Sequence, residues 1–198
     1  MKIFSPLATL LMLASLTGFQ AQAGSRQVID ANGQSQSVPD APRRVVVLSE
    51  LDLDSALTLG VQPVGTVNGR GQSTLPRYLL DKAGKEIAVV GDLDNPNLEK
   101  LIDLEPDLIL TGQTKPELLA LLKEIAPTVV TGNWGEPWKT VFGRSADAMN
   151  RGAEAKAFLT RYEARLAEAR SKLAQHQGEQ MSIVRWNPKG PSYMHGGT

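Results

Sequence analysis

Residues able to do chemistry sit in polar stretches that each follow an apolar run: Ser49-Glu50, Asn68 to Thr74 with Arg70, Asp92 to Asn95, Gly112-Gln113, and Trp134 to Trp138. Arg77 stands just past the second of these. Arg70 and Arg77 offer charge-assisted hydrogen bonds to an anionic group, and Trp134 and Trp138 offer apolar walls. Either arginine reads equally well as a solvated surface charge, and at least one tryptophan reads as partly buried against its own domain.

Signatures of enzymes and metal sites fail on particular residues. Gly69-Arg70-Gly71 has Thr74 where a dinucleotide fingerprint needs its third glycine, and neither a Walker phosphate loop nor a Gly-x-Ser-x-Gly elbow occurs. Asp92 and Asp94 suggest a calcium loop until Pro96 occupies the third ligand position. An open metal ion needs converging imidazoles and carboxylates, yet the two histidines are His176 and the distant His195. The chain has no cysteine, hence no disulfide, thiolate metal site or catalytic thiol. The formal charge is zero and no basic run marks a nucleic-acid or membrane partner.

The elements that must position these residues are marked along the chain. Met1 to Ala23 has Lys2, an apolar run from about Leu7 to Phe19 and the small-x-small triplet Ala21-Gln22-Ala23, the pattern of a cleavable secretory signal, residues 1–23. Its apolar run, at roughly a dozen residues, is short of the ~20 of a membrane span. Without Lys2 the mature chain has 20 basic against 21 acidic residues, a net charge of −1. A soluble exported protein is expected, and the lack of a cysteine at the cleavage site favours release into a Gram-negative periplasm over lipid anchoring.

Gln27 to Val38 reads as a hairpin turning at Asn32-Gly33, a pair suited to a two-residue turn. Val45 to Leu48 is a short buried strand, and Leu53, Ala56, Leu57 and Leu59 follow at helical spacing until Gly60. Pro63 to Val67 predicts a strand and Pro76 to Ala83 a helix. Val89 to Thr111 predicts strand, loop, short helix and strand: Asn97 caps, Glu105-Pro106 stops, and Leu108-Ile109-Leu110 is apolar on both faces, as in a parallel sheet. Thr114-Lys115-Pro116-Glu117 reads as a capping box before a helix to Ile125, and Thr128 to Thr131 as a strand. Alternating strands and helices imply an α/β fold, a parallel sheet with helices on both faces. A helix near Trp138 to Asn150 follows, and then Glu154 to Gln175, without proline or glycine, carries Phe158, Tyr162, Leu166, Ala169 and Leu173 on one stripe. At roughly 33 Å it must lie across the domain or bridge to another. Met181 to Trp186 and a further strand after Asn187-Pro188-Lys189-Gly190 open a second sheet that is left unfinished.

Four fragments in this order carry a resemblance: Pro42-Arg43-Arg44-Val45-Val46-Val47-Leu48, Leu57-Thr58-Leu59-Gly60-Val61-Gln62-Pro63-Val64-Gly65, Pro96-Asn97-Leu98-Glu99 with Glu105-Pro106-Asp107-Leu108-Ile109, and Ile125-Ala126-Pro127-Thr128-Val129. From about Gln27 onward the chain resembles the periplasmic binding proteins of iron–siderophore ABC transporters, the class in which one long rigid helix joins two α/β lobes. The resemblance implies a signal at 1–23, an N-terminal lobe at 24–150, a linking helix at 151–178 and the beginning of an incomplete second lobe at 179–198. It implies a monomeric carrier rather than an enzyme, with no cofactor of its own. Its ligand is a ferric siderophore whose iron is held by the chelator, and its partner is an inner-membrane permease.

Under that resemblance the strand-following loops become one cleft wall, with Ser49, Glu50, Arg70, Arg77, Trp134 and Trp138 as ligand-binding candidates. Glu99 matches a glutamate that pairs with an arginine of the permease, although a carboxylate in a first helical turn is favoured by the macrodipole anyway. Some hydroxamate binders carry an arginine just before the Pro-Asn-Leu-Glu motif, and a haem carrier would show a tyrosine there; Asp92-Leu93-Asp94-Asn95 has neither. Vitamin B12 or haem carriage in the same fold class and a metal-chelatase-like α/β enzyme are the alternatives. One wall alone is expected to bind weakly if at all.

Overall fold

The computed structural model describes residues 24–69, 71–84, 86–176, 178–179, 183–187 and 190–194. The signal expected at residues 1–23, together with Arg70 and His195, lies outside the described residues.

Strands β1 (Ser25–Ile29) and β2 (Ser35–Pro39) pair antiparallel. Their turn is not the expected two-residue one. The Asp30 amide donates to the Gln34 carbonyl, which leaves a three-residue loop with only Gly33 at positive φ (+74°). Asp30 is the cause: its Oδ1 accepts the amides of Asn32 and Gln34, both at 2.9 Å, and so holds the intervening residues in a tight turn. The Ala31 amide donates to the Val130 carbonyl at 2.7 Å, so the hairpin covers the sheet edge beside it.

The main body then alternates strand and helix: β3 (Val45–Val47), α1 (Glu50–Thr58), β4 (Gly65–Thr66), a 3-10 turn at Arg77–Leu79 running into α2 (Leu80–Ala83), and β5 (Ala88–Val89). A small antiparallel pair, β6 (Gly91–Asp92) and β7 (Asn95–Pro96), replaces the expected open loop. After it come α3 (Leu98–Asp103), β8 (Leu108–Gly112), α4 (Pro116–Ile125), β9 (Thr128–Gly132), α5 (Trp138–Ala148) and α6 (Gly152–Lys172). Two antiparallel strands, β10 (Ile183–Asn187) and β11 (Gly190–Met194), close the described residues.

Strands β5-β4-β3-β8-β9, in that order, form one parallel sheet. Side chains of a strand alternate between faces, and the apolar runs use both. Val45, Val47, Leu108, Leu110 and Val129 pack with Leu53, Ala56, Phe142 and Ala146 of α1 and α5, while Val46, Leu48 and Ile109 pack with Leu101 and Leu122 of α3 and α4. β5 and β8, consecutive strands of the parallel sheet along the chain, are separated in it by β4 and β3.

Two helix starts separate local rule from context. Asn97 caps α3 by accepting the Lys100 amide at 2.9 Å, as expected. The Thr114 capping box does not form, because Lys115, the residue before Pro116, is driven to extended backbone (φ −66°, ψ 143°) and itself becomes the N-cap without a side-chain bond. Thr114 is thus one position too early.

The long helix α6 starts two residues before its expected Glu154 and has 21 residues, about 31 Å at 1.5 Å per residue. Its first half seats Ala155, Phe158 and Leu159 against the core, whereas Ala169 and Leu173 further along the same stripe are exposed.

Candidate functional site

The sheet order places a topological switch between β3 and β8, since the chain leaves β3 toward β4 and leaves β8 toward β9. Outside the carboxyl ends of two such strands the following loops diverge and open a crevice. Ser49 follows β3 and Gly112 ends β8; a β-carbon built on Gly112 would stand 3.9 Å from that of Ser49. The absence of one widens the crevice.

Beneath Ser49 lies a polar cluster that reading the sequence missed. Asp52 is wholly buried, and its carboxylate accepts hydrogen bonds from Ser49 Oγ (2.6 Å), Thr131 Oγ1 (3.0 Å) and Ser145 Oγ (2.8 Å). Ser49 in turn caps α1 by accepting the Asp52 amide at 3.1 Å. The pairing of β8 with β9 shifts register at Thr111/Gly112, leaving Thr131 as the extra residue whose hydroxyl turns to Asp52. Burial pushes the Asp52 carboxyl up, against the three hydroxyls that hold it down. The signal available was the Ser49-x-x-Asp52 spacing ahead of an apolar run, the mark of a capped helix start.

The loop after β9 is the other well-defined part of the crevice. Trp134 is 87 % exposed. Its amide donates to Gln113 Oε1 (3.2 Å) on the loop after β8. Glu136 accepts the Asn133 amide (2.6 Å) and two bonds from the Arg144 guanidinium, both 2.8 Å, while Arg144 also donates to the Thr131 carbonyl at 3.1 Å. Gly135 takes φ +82°, a left-handed turn that suits a residue without a β-carbon. The Arg144 and Asn133 donors hold the Glu136 carboxyl down, from the ordinary 4.5 to about 2. A lowered pKa makes the ionised form the stabilising one, so this pairing contributes fully above pH 4.5 and is lost as pH falls through about 2. Acid unfolding of Glu136→Gln, followed by circular dichroism, is expected to show a shallower loss of stability than wild type across that window.

Of the other candidates, Glu50 and Ser49 are half-buried at the start of α1, and Arg77 is exposed at the start of the 3-10 turn. That turn carries Tyr78 beside α1, where burial first, and then the charges of Glu50 and Asp54, push its phenol up. Tyr78 and Leu51 are exposed apolar surface on this side, and neither was singled out from sequence. Trp138 is placed differently from Trp134. It is 39 % exposed and meets Tyr162 edge-on at 5.1 Å and Phe142 at 6.2 Å, and Lys139, paired with Glu163, stands 4.9 Å from the Tyr162 ring. This indole seats α6 against α5.

Glu99 is exposed in the first turn of α3. A groove of about 430 Å³ between α3 and α4, lined by Leu98, Ile102, Glu105, Leu121, Glu124 and Ile125, holds none of the candidates. Among the described residues no three histidine, cysteine or acidic side chains gather as a metal site, and no helix is long and apolar enough to cross a membrane.

A model of the family described as periplasmic binding protein matches residues 45–198, from β3 onward. The chain belongs to this family. Its relatives include the probable siderophore-binding lipoprotein YfiY of Bacillus subtilis (strain 168), 31 % identical over 163 residues, a match covering 82 % of this chain and 50 % of that protein. Among solved structures, Staphylococcus aureus SirA complexed with staphyloferrin B superposes with a TM-score of 0.68 at 28 % identity, over 80 % of this chain and 55 % of that one. A periplasmic solute binding protein from Mycobacterium smegmatis gives 0.73 at 25 % identity, over 88 % and 64 %. The chain spans about half the length of the curated relatives it matches. The parallel sheet flanked by helices is the fold these periplasmic binding proteins share with it. The β1–β2 hairpin precedes the matched residues.

Proposed function

We propose that this chain is part of the solute-binding component of an ABC importer, which takes a ferric siderophore at the carboxyl edge of its sheet and delivers it to an inner-membrane permease. One observation carries the reading: the switch-point loops meet around Ser49, Gly112 and a solvent-facing Trp134 whose backbone is fixed. Such an edge is where an α/β sheet holds a guest. The names of the relatives, siderophore-binding in YfiY and complexed with staphyloferrin B in SirA, support the ligand class.

In this reading residues 24–150 form one lobe, 151–178 the strut and 179–198 the opening of a second lobe that supplies the facing wall. Ser49, Glu50, Arg70, Arg77 and Trp134 contact the chelate, Trp138 borders it while anchoring the strut, and Glu99 pairs with the permease. The carrier works as a monomer in a periplasm, exported by the signal at residues 1–23.

Titrating the chain with ferric citrate, a ferric catecholate and a ferric hydroxamate, followed by tryptophan fluorescence, tests the reading. Saturable quenching by at least one intact chelate is expected. Turnover with loss of the bound iron would instead indicate an enzyme, and no response either from this chain or from one extended through a complete second lobe would remove the proposal.

A further inference from the structure

Trp134 is the largest side chain at the crevice and, at 87 % exposure, the one whose surface gains most from being covered. An exposed indole on a slack loop would be unremarkable. This one is fastened at four points. Gln113 takes its amide, Glu136 takes the amide of Asn133, Asn133 Nδ2 donates to the Ala31 carbonyl at 3.0 Å, and Arg144 grips Glu136 with both terminal nitrogens while also holding Thr131. The ring itself joins none of the aromatic contacts among the described residues, which gather instead around Trp138, Phe142, Phe158 and Tyr162. Its faces are therefore open while its backbone is fixed.

Resting on the proposed function, we propose that Trp134 is a pre-set stacking platform that makes the site favour chelates built from flat aromatic rings over aliphatic ones, and that the Arg144–Glu136 pair is its positioning clamp. With its backbone held, Trp134 has only two side-chain torsions left to order when a ligand arrives. Its quadrupole rewards a second ring in offset or edge contact beyond what simple area burial gives. The charges of Glu136 and Arg144 are spent on each other, so the surface presented at this loop is a neutral π face rather than an ionic one. Citrate-like ligands, with carboxylates and methylenes only, gain the apolar contact but not the ring pairing.

Calorimetric titration of the full chain with a ferric tris-catecholate and with ferric citrate gives a selectivity, the ratio of the two dissociation constants. Trp134→Leu, which keeps apolar bulk and removes the ring, is expected to cut that selectivity by about two- to tenfold. Trp134→Phe should retain most of it. Glu136→Ala should lower it in the wild-type background and have no further effect on top of Trp134→Leu, because a clamp acts only through what it holds. An unchanged selectivity in Trp134→Leu, or equal losses in the Phe and Leu variants, overturns the stacking platform while leaving the carrier reading in place. Equal effects of Glu136→Ala in both backgrounds overturn the clamp. Wild type binding neither chelate, alone or extended through a complete second lobe, removes the carrier reading and this inference together.

Discussion

Asp52→Ala is expected to lower the unfolding free energy by about 2–3 kcal/mol, and Asp52→Asn by only about 1 kcal/mol. The difference follows from where three hydroxyls can turn. Ser145 Oγ also lies 2.9 Å from the Val141 carbonyl and Thr131 Oγ1 3.1 Å from the Thr111 carbonyl, so both keep an acceptor when the carboxylate goes. Among the described residues Ser49 has no such second acceptor, and its hydroxyl also caps α1. Alanine therefore strands one hydroxyl and opens a void, whereas asparagine keeps an acceptor for Ser49 and offers its NH₂ group to an oxygen that has turned away. Removing a buried charge returns part of the loss, which is why the estimate stays below a sum over three bonds. Guanidinium unfolding of the full chain at pH 7 measures both values.

The pH dependence of that comparison has a fixed sign. Asp52 is raised by burial, so its ionised form is the costly one in the folded state, and its contribution to stability is most favourable at low pH and falls as pH rises through the raised value. Glu136 is lowered and behaves oppositely. The advantage of wild type over Asp52→Asn should accordingly grow on mild acidification, and a gap that shrinks instead would show that Asp52 is not the strained carboxylate described.

Glu99→Arg is expected to abolish chelate uptake by cells while changing chelate affinity less than about twofold. Glu99 is exposed, forms no ion pair among the described residues and stands in the first turn of α3. The competing explanation is that a first-turn carboxylate serves only the helix dipole, worth about 0.3–1 kcal/mol. That role predicts a small fall in melting temperature with uptake intact. Reversal of charge at the proposed docking contact would instead add like-charge repulsion against an arginine of the partner, worth several kcal/mol at an interface. Uptake assays beside a binding titration separate the two, and a parallel loss of affinity would contradict the docking role.

The fold was legible wherever one face of an element is dictated by apolar residues. Val45 to Leu48 and Leu108 to Leu110 are apolar on both sides and became strands with a helix layer over each face. Asn97 and Gly60 punctuated helices as local chemistry demands, with Gly60 at φ +74°. Two local readings failed because a neighbour outbid the motif: Asp30 reshaped the Asn32-Gly33 turn, and Pro116 moved the helix cap from Thr114 to Lys115. Strand order was not legible either, since apolar runs mark a strand without naming its neighbours. At the site, Ser49 and Trp134 were visible as polar or aromatic residues after strands. Asp52, Glu136 and Arg144 were not, because a buried carboxylate and a loop clamp depend on partners 79, 93 and 8 positions away, a separation no short motif records.

The switch-point crevice is the claim on which the rest depends, and amide hydrogen exchange with and without a ferric chelate tests it directly. New protection is expected in Ser49 to Leu51, Gln113-Thr114 and Asn133 to Glu136, with little change along α3 and α4. Protection confined to the groove between α3 and α4, or none at the three loops under saturating chelate, would contradict it.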